Sequence, residues 1–585
     1  MQSVKQLLKY LKPYTFFAIL GPLLMVVEVT MDLLQPTIMQ HIIDTGIANQ
    51  DNQYVLKLGL LMLISAIVGL IGGIGCSIYS SKAAVYFATD IRKDLFHQIT
   101  HFSSNNKDSF GTGKLLTIMM SDVEMLQRAV MMTLKIFVRG PLLFIGSVVI
   151  VFITARPLFP VLLVVVPILI VVMYMFTKVS SSLYQKVQEA IDQVNTKLQE
   201  NFSGIRVIKA FNRKDHQIKE FTEVNKSLTT NNIRADQVIG ILMPVTLFIV
   251  NMGIVAALWL GVIKVDNGTL QVGVILAFVN YLTIIMNGLI SSSNVLVQIA
   301  RAFPSADRIH QVLHTKIDIE NNKQPYKPQA INGKIAFKNV SFSYSKNGEQ
   351  VLKNVTFEAE PGEIIGIIGI TGSGKSTLVK LIPRLIDCDE GVVEIDEIDI
   401  KNYDIQTIRN AIGYVPQKAT LFSGSIKENL EYGKENAQIQ EISKAIENAC
   451  ASEFVYHFKD GIEHHLTQGA TNLSGGQKQR ISMARAFVRK PAILVLDDST
   501  SAVDSVSEKM IQKAILTDYK DCTTFIISSK ISSIIHADRI LVMEDGAIVG
   551  QGTHAQLLAE NEIYQEIYTT QVGKEPVADE RASHR

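Results

Sequence analysis

Cysteine is scarce in this chain, and an excess of positive charge is missing altogether. Cys76, Cys388, Cys450 and Cys522 lie far apart and form no CxxC pair. They offer no disulfide framework and read as isolated thiols in a reducing compartment. Lys plus Arg total 56 against 55 Asp plus Glu, a formal net charge of +1. That balance argues against a nucleic-acid partner held through bulk positive charge. No cleavable signal peptide is expected either: the first apolar run is long enough to span a bilayer, and no small-residue cleavage site follows it.

What the chain has in quantity is apolar surface. Hydrophobic residues make up 47% of 585, and mean hydropathy is +0.22. The length suggests two or three domains, and the hydropathy places part of the chain in lipid. Six runs are long enough to span a bilayer, at 15–39, 55–79, 136–153, 158–177, 238–262 and 272–297. The third and fourth are separated only by "TARP", the fifth and sixth by "IKVDNGTLQ". Long polar stretches separate the second from the third and the fourth from the fifth. They keep helical periodicity, so the membrane helices are expected to continue far into water before turning back.

Charge sets an expected orientation. Lys5, Lys9 and Lys12 precede the first run; Arg92, Lys93, Lys107, Lys114 and Arg128 lie in the first long stretch; Lys186, Lys197, Arg206, Lys209, Arg213 and Lys214 lie in the second. The opposite loops hold mainly Asp44, Asp51 and Asp266. The positive-inside tendency puts the N-terminus and both long stretches in the cytoplasm, and an even span count returns the rest of the chain there. The expected location is the plasma membrane.

Near residue 330 the texture changes. A polar, proline-bearing linker is expected over 326–334, after a membrane domain over 1–325. Short β-branched runs then alternate with helical patterns over 335–572, which reads as an α/β domain with a largely parallel sheet. The tail 573–585 is expected to be disordered.

"GITGSGKST", from Gly369 through Ile370, Thr371, Gly372, Ser373, Gly374, Lys375 and Ser376 to Thr377, follows an apolar strand and opens a helix. This is the setting of a phosphate-binding P-loop. Its backbone amides and the helix N-terminus would wrap phosphates; Lys375 would reach the outer ones and Ser376 would ligate Mg²⁺. Asp497, ending the strand "AILVLD", is the expected Mg²⁺ carboxylate. Gln417, on a loop after a strand, means little alone.

"LSGGQKQR", 473–480, lies between the P-loop and "LVLDD", an order that resembles the ATP-binding-cassette (ABC) proteins. Six spans ahead of one such domain are similar to an exporter-type half-transporter working as two chains, and the resemblance covers nearly the whole sequence. The fold it implies is an α-helical six-span membrane domain with long cytoplasmic helical extensions, followed by an α/β P-loop ATP-binding-cassette domain. It implies ATP and Mg²⁺ as cofactors and the lipid bilayer as surroundings. Under it, Tyr344 would stack on adenine and Gln417 would contact Mg²⁺. Ser474, Gly475, Gly476 and Gln477 would cap ATP on the other chain, and Asp504 would cross the dimer interface. Short helices around 103–113 and 204–213 would dock on the ATP domains.

The chain departs from that pattern at three places. The family carries a water-polarising Glu after the Mg²⁺ carboxylate; here it is Asp498. One methylene less withdraws the carboxylate by about 1–1.5 Å, and a misplacement of ~1 Å can cost about a hundredfold in rate. The position of the family's γ-phosphate His is Ser529, and His536, seven residues on, is expected at an exposed turn. Ahead of the signature the chain reads "TQGA", with Gln468 where the family often has Glu. With the signature intact, this combination resembles the degenerate-site subunit of a heterodimeric bacterial multidrug exporter. The expected partner is a second half-transporter carrying the catalytic Glu. A homodimeric lipid or peptide exporter with slow hydrolysis, and an ATP-gated membrane regulator, are the alternatives. The spans exclude a soluble ATPase.

Polar residues inside spans default to function. Glu28 and Asp32, four apart, share a helix face and would favour small hydrophobic or cationic substrates; Asn251, Asn280 and Asn287 are weaker cases. Phe278 and Tyr281 fit either a cavity wall or packing. His464 and His465 are adjacent and cannot chelate as an i, i+4 pair.

Overall fold

The computed structural model describes residues 2–345, 348–501 and 503–572, apart from the side chains of 2, 293, 294, 296–298 and 572. The tail expected at 573–585 lies outside them. Two compact units emerge: Met1–Thr100 with Thr112–Thr315, and His101–Gly111 with the chain from Lys316 on.

The first unit is helical throughout. Among the described residues six helices are long and apolar enough to cross a membrane: Ser3–Ile47, Asn52–Thr100, Thr112–Thr154, Arg156–Ser203, Lys214–Asp266 and Val272–Ser292. Each contains one of the six expected apolar runs, the sixth as far as Ser292. Large side chains such as Leu60, Ile67 and Leu70 on the second of them are exposed, as lipid-facing residues must be when no water is present to drive them inward. The longest helices run well past any bilayer: Asn52–Thr100 has 49 residues, Phe159–Ser203 has 45 and Lys214–Asp266 has 53. The polar stretches are therefore helix, as their periodicity predicts. The third helix begins at Thr112, ahead of its apolar run, and contains π turns at Ile118–Asp122 and Thr133–Phe137.

Small residues bring the helices close. A Cβ on Gly72 would stand 2.9 Å from the Leu24 carbonyl, and one on Gly140 3.0 Å from that of Gly288. Phe278 and Tyr281 are buried in the helical core, where the Tyr281 hydroxyl donates to the Leu33 carbonyl at 2.7 Å. They are packing residues. At the two far turns of the long helices stand the expected short helices, Ser104–Phe110 and Ile205–Ala210. Ser103 and Asn106 close a capping box on the former. Within the second unit, Ser103 Oγ donates to Asp318 Oδ2 at 3.1 Å and Asn106 Nδ2 to the Lys316 carbonyl at 3.3 Å.

The second unit carries two main sheets. The larger orders its strands Ala547–Gly552, Arg539–Glu544, Ile364–Gly369, Thr523–Ile527, Ile493–Asp497, Ile412–Val415. All are parallel except the first pair. Ile364–Gly369 and Ile493–Asp497 are buried at every position, because helices or other layers cover both faces of a parallel sheet. A four-stranded antiparallel sheet, Leu352–Ala359, Ile335–Phe342, Glu390–Ile395 and Ile398–Asp399, completes the domain. The stretch expected as a linker, 326–334, is pinned to it. Tyr326 N–H donates to the Asn402 carbonyl at 2.8 Å, and the amides of Asn332, Gly333 and Lys334 converge on the Asp396 carboxylate at 2.7, 3.1 and 3.0 Å.

Candidate functional site

Ile527 is in register with Ile367 on one side and Asp497 on the other. The P-loop and the acidic strand therefore end at the same edge of the sheet, at the carboxyl ends of parallel strands, where α/β folds bind ligands. The loop itself must be glycine-rich for a geometric reason. A Cβ on Gly369 would lie 2.1 Å from the Met543 carbonyl. Gly374, with φ of 94°, caps the helix Lys375–Leu381 from the left-handed region, and a Cβ there would meet the Val351 carbonyl at 2.8 Å. Lys375 Nζ donates to the carbonyls of Gly369 and Ile370 at 2.8 and 2.7 Å. Burial pushes its ammonium pKa down, while Asp498 and Asp497 push back. The Tyr344 ring is exposed, and its hydroxyl lies 3.1 Å from Thr377 Oγ1.

Ser376 Oγ donates to Asp497 Oδ1 at 2.7 Å and Tyr414 Oη to Asp497 Oδ2 at 3.3 Å. A buried carboxylate next to the P-loop hydroxyl is the donor set a hard divalent cation takes together with phosphate oxygens, so these residues fit ATP with Mg²⁺. Sequence reading missed Tyr414; its only signal is a place on the strand "IGYV", which runs alongside Ile493–Asp497. Burial raises the Asp497 carboxyl, and the Ser376 and Tyr414 hydrogen bonds oppose that shift. The sign follows for an acid with a raised pKa: the folded protein holds the proton more readily, so this group's contribution to stability falls as pH rises through that range. Metal binding competes with the same proton. Mg²⁺-dependent ATP affinity should therefore weaken as pH falls, beginning above the ordinary Asp range. Affinity in EDTA should stay flat, and Asp497→Asn should erase the contrast. Titration with a fluorescent ATP analogue checks this.

Asp498 has a φ of 46° and an N–H bonded to the Ile527 carbonyl at 3.0 Å. Its Oδ2 accepts from Gln417 Nε2 at 3.2 Å, while its buried Oδ1 has no hydrogen-bond partner among the described residues. Gln417 is held in turn by Gln479 Nε2, which donates to its carbonyl at 3.1 Å. Ser529 is exposed, and its carbonyl accepts from Gln571 Nε2 at 2.6 Å. His536 sits at an exposed turn.

The signature opens the helix Gly475–Phe487. Ser474 and Gln477 form its capping box, leaving the helix start exposed. Asp504 caps the helix Ser505–Asp518 by accepting from Ser507 N–H at 2.9 Å, and that bond holds its carboxyl below the usual range. Gln468 is exposed on the turn Gln468–Ala470. His464 stacks on Phe458 with centroids 3.8 Å apart, His465 is exposed, and no metal-holding cluster occurs among the described residues.

In the membrane unit, Glu28 and Asp32 share a partner that sequence reading did not name. Arg139 Nη2 lies 3.3 Å from Glu28 Oε1 and 3.2 Å from Asp32 Oδ2. Asn251 is exposed; Asn280 donates to the Leu276 carbonyl of its own helix at 3.0 Å. Asn287 lines a cavity with Asp32 and Arg139.

Comparison with known proteins agrees with this geometry. Residues 18–289 match the family of ABC transporter transmembrane regions, and residues 352–501 match the ABC transporter family. The chain is 40% identical over 572 residues to an uncharacterized ABC transporter ATP-binding protein, YfiB, of Bacillus subtilis, covering 98% of this chain and 99% of that one. It is 32% identical to a putative multidrug export ATP-binding/permease protein, YgaD, of the same organism, covering 98% and 100%. A solved bacterial Atm1-family ABC exporter with ATP bound shares the fold, with a TM-score of 0.79 at 22% identity over 95% of this chain and 98% of that one.

Proposed function

The chain belongs to the ABC transporter family as an exporter-type half-transporter, and from that premise we propose that it is the weakly hydrolysing half of a heterodimer. Its membrane domain would take residues 1–325 and its ATP-binding domain 335–572. Tyr344 would hold adenine; 369–377 would hold the phosphates; Ser376, Gln417 and Asp497 would hold Mg²⁺. Ser474, Gly475, Gly476, Gln477 and Asp504 would complete a second nucleotide site on a partner that carries the catalytic Glu. Closure of the two ATP domains would switch the cavity from inward to outward facing, and hydrolysis on the partner's side would reset it. The cargo would be small hydrophobic or cationic compounds, with the multidrug name of one relative as support. Glu28, Asp32, Asn251 and Asn280 are the candidate cavity residues. The complex would sit in the plasma membrane with the N-terminus and ATP-binding domain cytoplasmic.

The observation that carries this reading is Asp498. Its backbone is fixed by Ile527 and its short carboxylate rests against Gln417, while the signature remains intact. The chain purified alone in lipid nanodiscs should release phosphate at about a hundredth of the rate of the assembled pair or less, given the sensitivity of a general base to placement. Brisk turnover without a partner would overturn the proposal.

A further inference from the structure

Glu28 and Asp32 look like an anionic patch until their partner is counted. Arg139, from the third span, places one nitrogen between both carboxylates, at 3.3 and 3.2 Å. The three formal charges sum to −1. The two acids are not equivalent. The Glu28 side chain is 15% exposed and lodged against the second span, where a Cβ on Gly73 would stand 2.7 Å from its Oε2. The Asp32 side chain is 35% exposed and lines a cavity of about 430 Å³ with Gln35, Arg139, Leu143, Asn287 and Ser291. The Arg139 side chain is 44% exposed, on an arm long enough to stay on Glu28 while leaving Asp32. The ion pair with Glu28 is thus deep, and the hydrogen bond to Asp32 faces open space.

We propose that Arg139 sets the charge selectivity of this cavity as a tethered cation, which the cationic group of a substrate displaces from Asp32. The inference deepens the transport reading above and rests on it for the word substrate. Inserting one positive charge brings the cluster to neutrality, and Arg139 keeps its ion pair with Glu28. A second positive charge would overshoot, and an anion would add to the excess. The site therefore selects monocations with an apolar body, which Leu143 and the cavity's aliphatic walls can cover. Arg139 lowers the affinity for them because it must be moved aside, as any competitor for a charged site does. Asn287 and Ser291 supply neutral acceptors that a cation's polar substituents can use.

Nucleotide-free equilibrium binding to the full chain in nanodiscs tests this, with tetraphenylphosphonium as the monocation and triphenylphosphine oxide as the neutral analogue. Arg139→Gln should tighten the monocation about tenfold, or 1.4 kcal/mol, and leave the neutral compound within about twofold. Asp32→Asn should weaken the monocation at least about tenfold, and Arg139→Gln added to it should then give a smaller gain than it gives with Asp32 present. Arg139→Lys, which keeps the charge, should stay near wild type and serves if the Gln variant does not fold. Unchanged or weaker cation binding in Arg139→Gln, an equal shift for the neutral compound, or strong binding of an anionic amphiphile that needs Arg139 would overturn the proposal. With no nucleotide present, such a failure leaves the weak-hydrolysis reading untouched. Brisk phosphate release by the lone chain would leave this inference untouched in turn.

Discussion

Asp498→Glu is expected to raise phosphate release by the isolated chain by about ten- to a hundredfold, the range that a ~1 Å correction in a general base spans. The position makes the outcome readable. The Asp498 N–H is tied to the Ile527 carbonyl at 3.0 Å, so the added methylene lengthens the side chain without moving the backbone. Its carboxylate now reaches no further than Gln417 Nε2 at 3.2 Å. The residue also has a φ of 46°, a region that Asp tolerates better than longer side chains. A gain in rate should therefore come with a small loss of thermal stability, both measurable on one preparation. Adding Ser529→His should raise the rate further, since that backbone is already fixed by Gln571. No gain from either change would mean that something other than the length of this side chain limits turnover.

The second large effect is expected from the start of the signature helix. Gly475→Asp should reduce ATP hydrolysis by the assembled pair at least about a hundredfold, the scale on which losing a preorganised electrostatic contact acts. Nucleotide binding at this chain's own P-loop should be unchanged. Misfolding cannot account for such a loss, because a Cβ at Gly475 meets nothing within 4 Å, and an acid in the first turn of a 13-residue helix stabilises it. The added carboxylate would stand where the partner's nucleotide needs an anion-binding helix start. Hydrolysis by the pair and fluorescent-nucleotide binding to this chain separate the two effects. If hydrolysis survived, the signature would have no role in the productive site.

Much of this was legible in the sequence because the signals are local. Six apolar runs, the P-loop glycines and the signature each depend on residues close together in the chain, and each occupies the predicted element. What was not legible depends on partners far away. Arg139 sits more than a hundred residues from Glu28 and Asp32, and its spacing within its own helix says nothing of theirs. Tyr414 finds Asp497 only because two strands become neighbours in the sheet. The stretch 326–334 has the composition of a loose tether, yet Asp396 gathers three of its amides. A lone acid in a turn gives no sign of which backbone donors it will collect. The start of the third helix was hidden because its first turns, "TGKLLTIMM", mix polar and apolar residues without a run long enough to mark a span.

The long helices have a mechanical consequence. Lys214–Asp266, at 53 residues, is about 80 Å long by its rise per residue, and a hydrocarbon layer covers only about 30 Å of it. Roughly 50 Å of stalk projects beyond the lipid. A pivot of about five degrees at the membrane surface then sweeps the far tip through about 4 Å by the same geometry. A lever of this ratio lets a modest repacking among apolar side chains appear as a stroke of several ångströms at the distant turn. It works as well in the other direction.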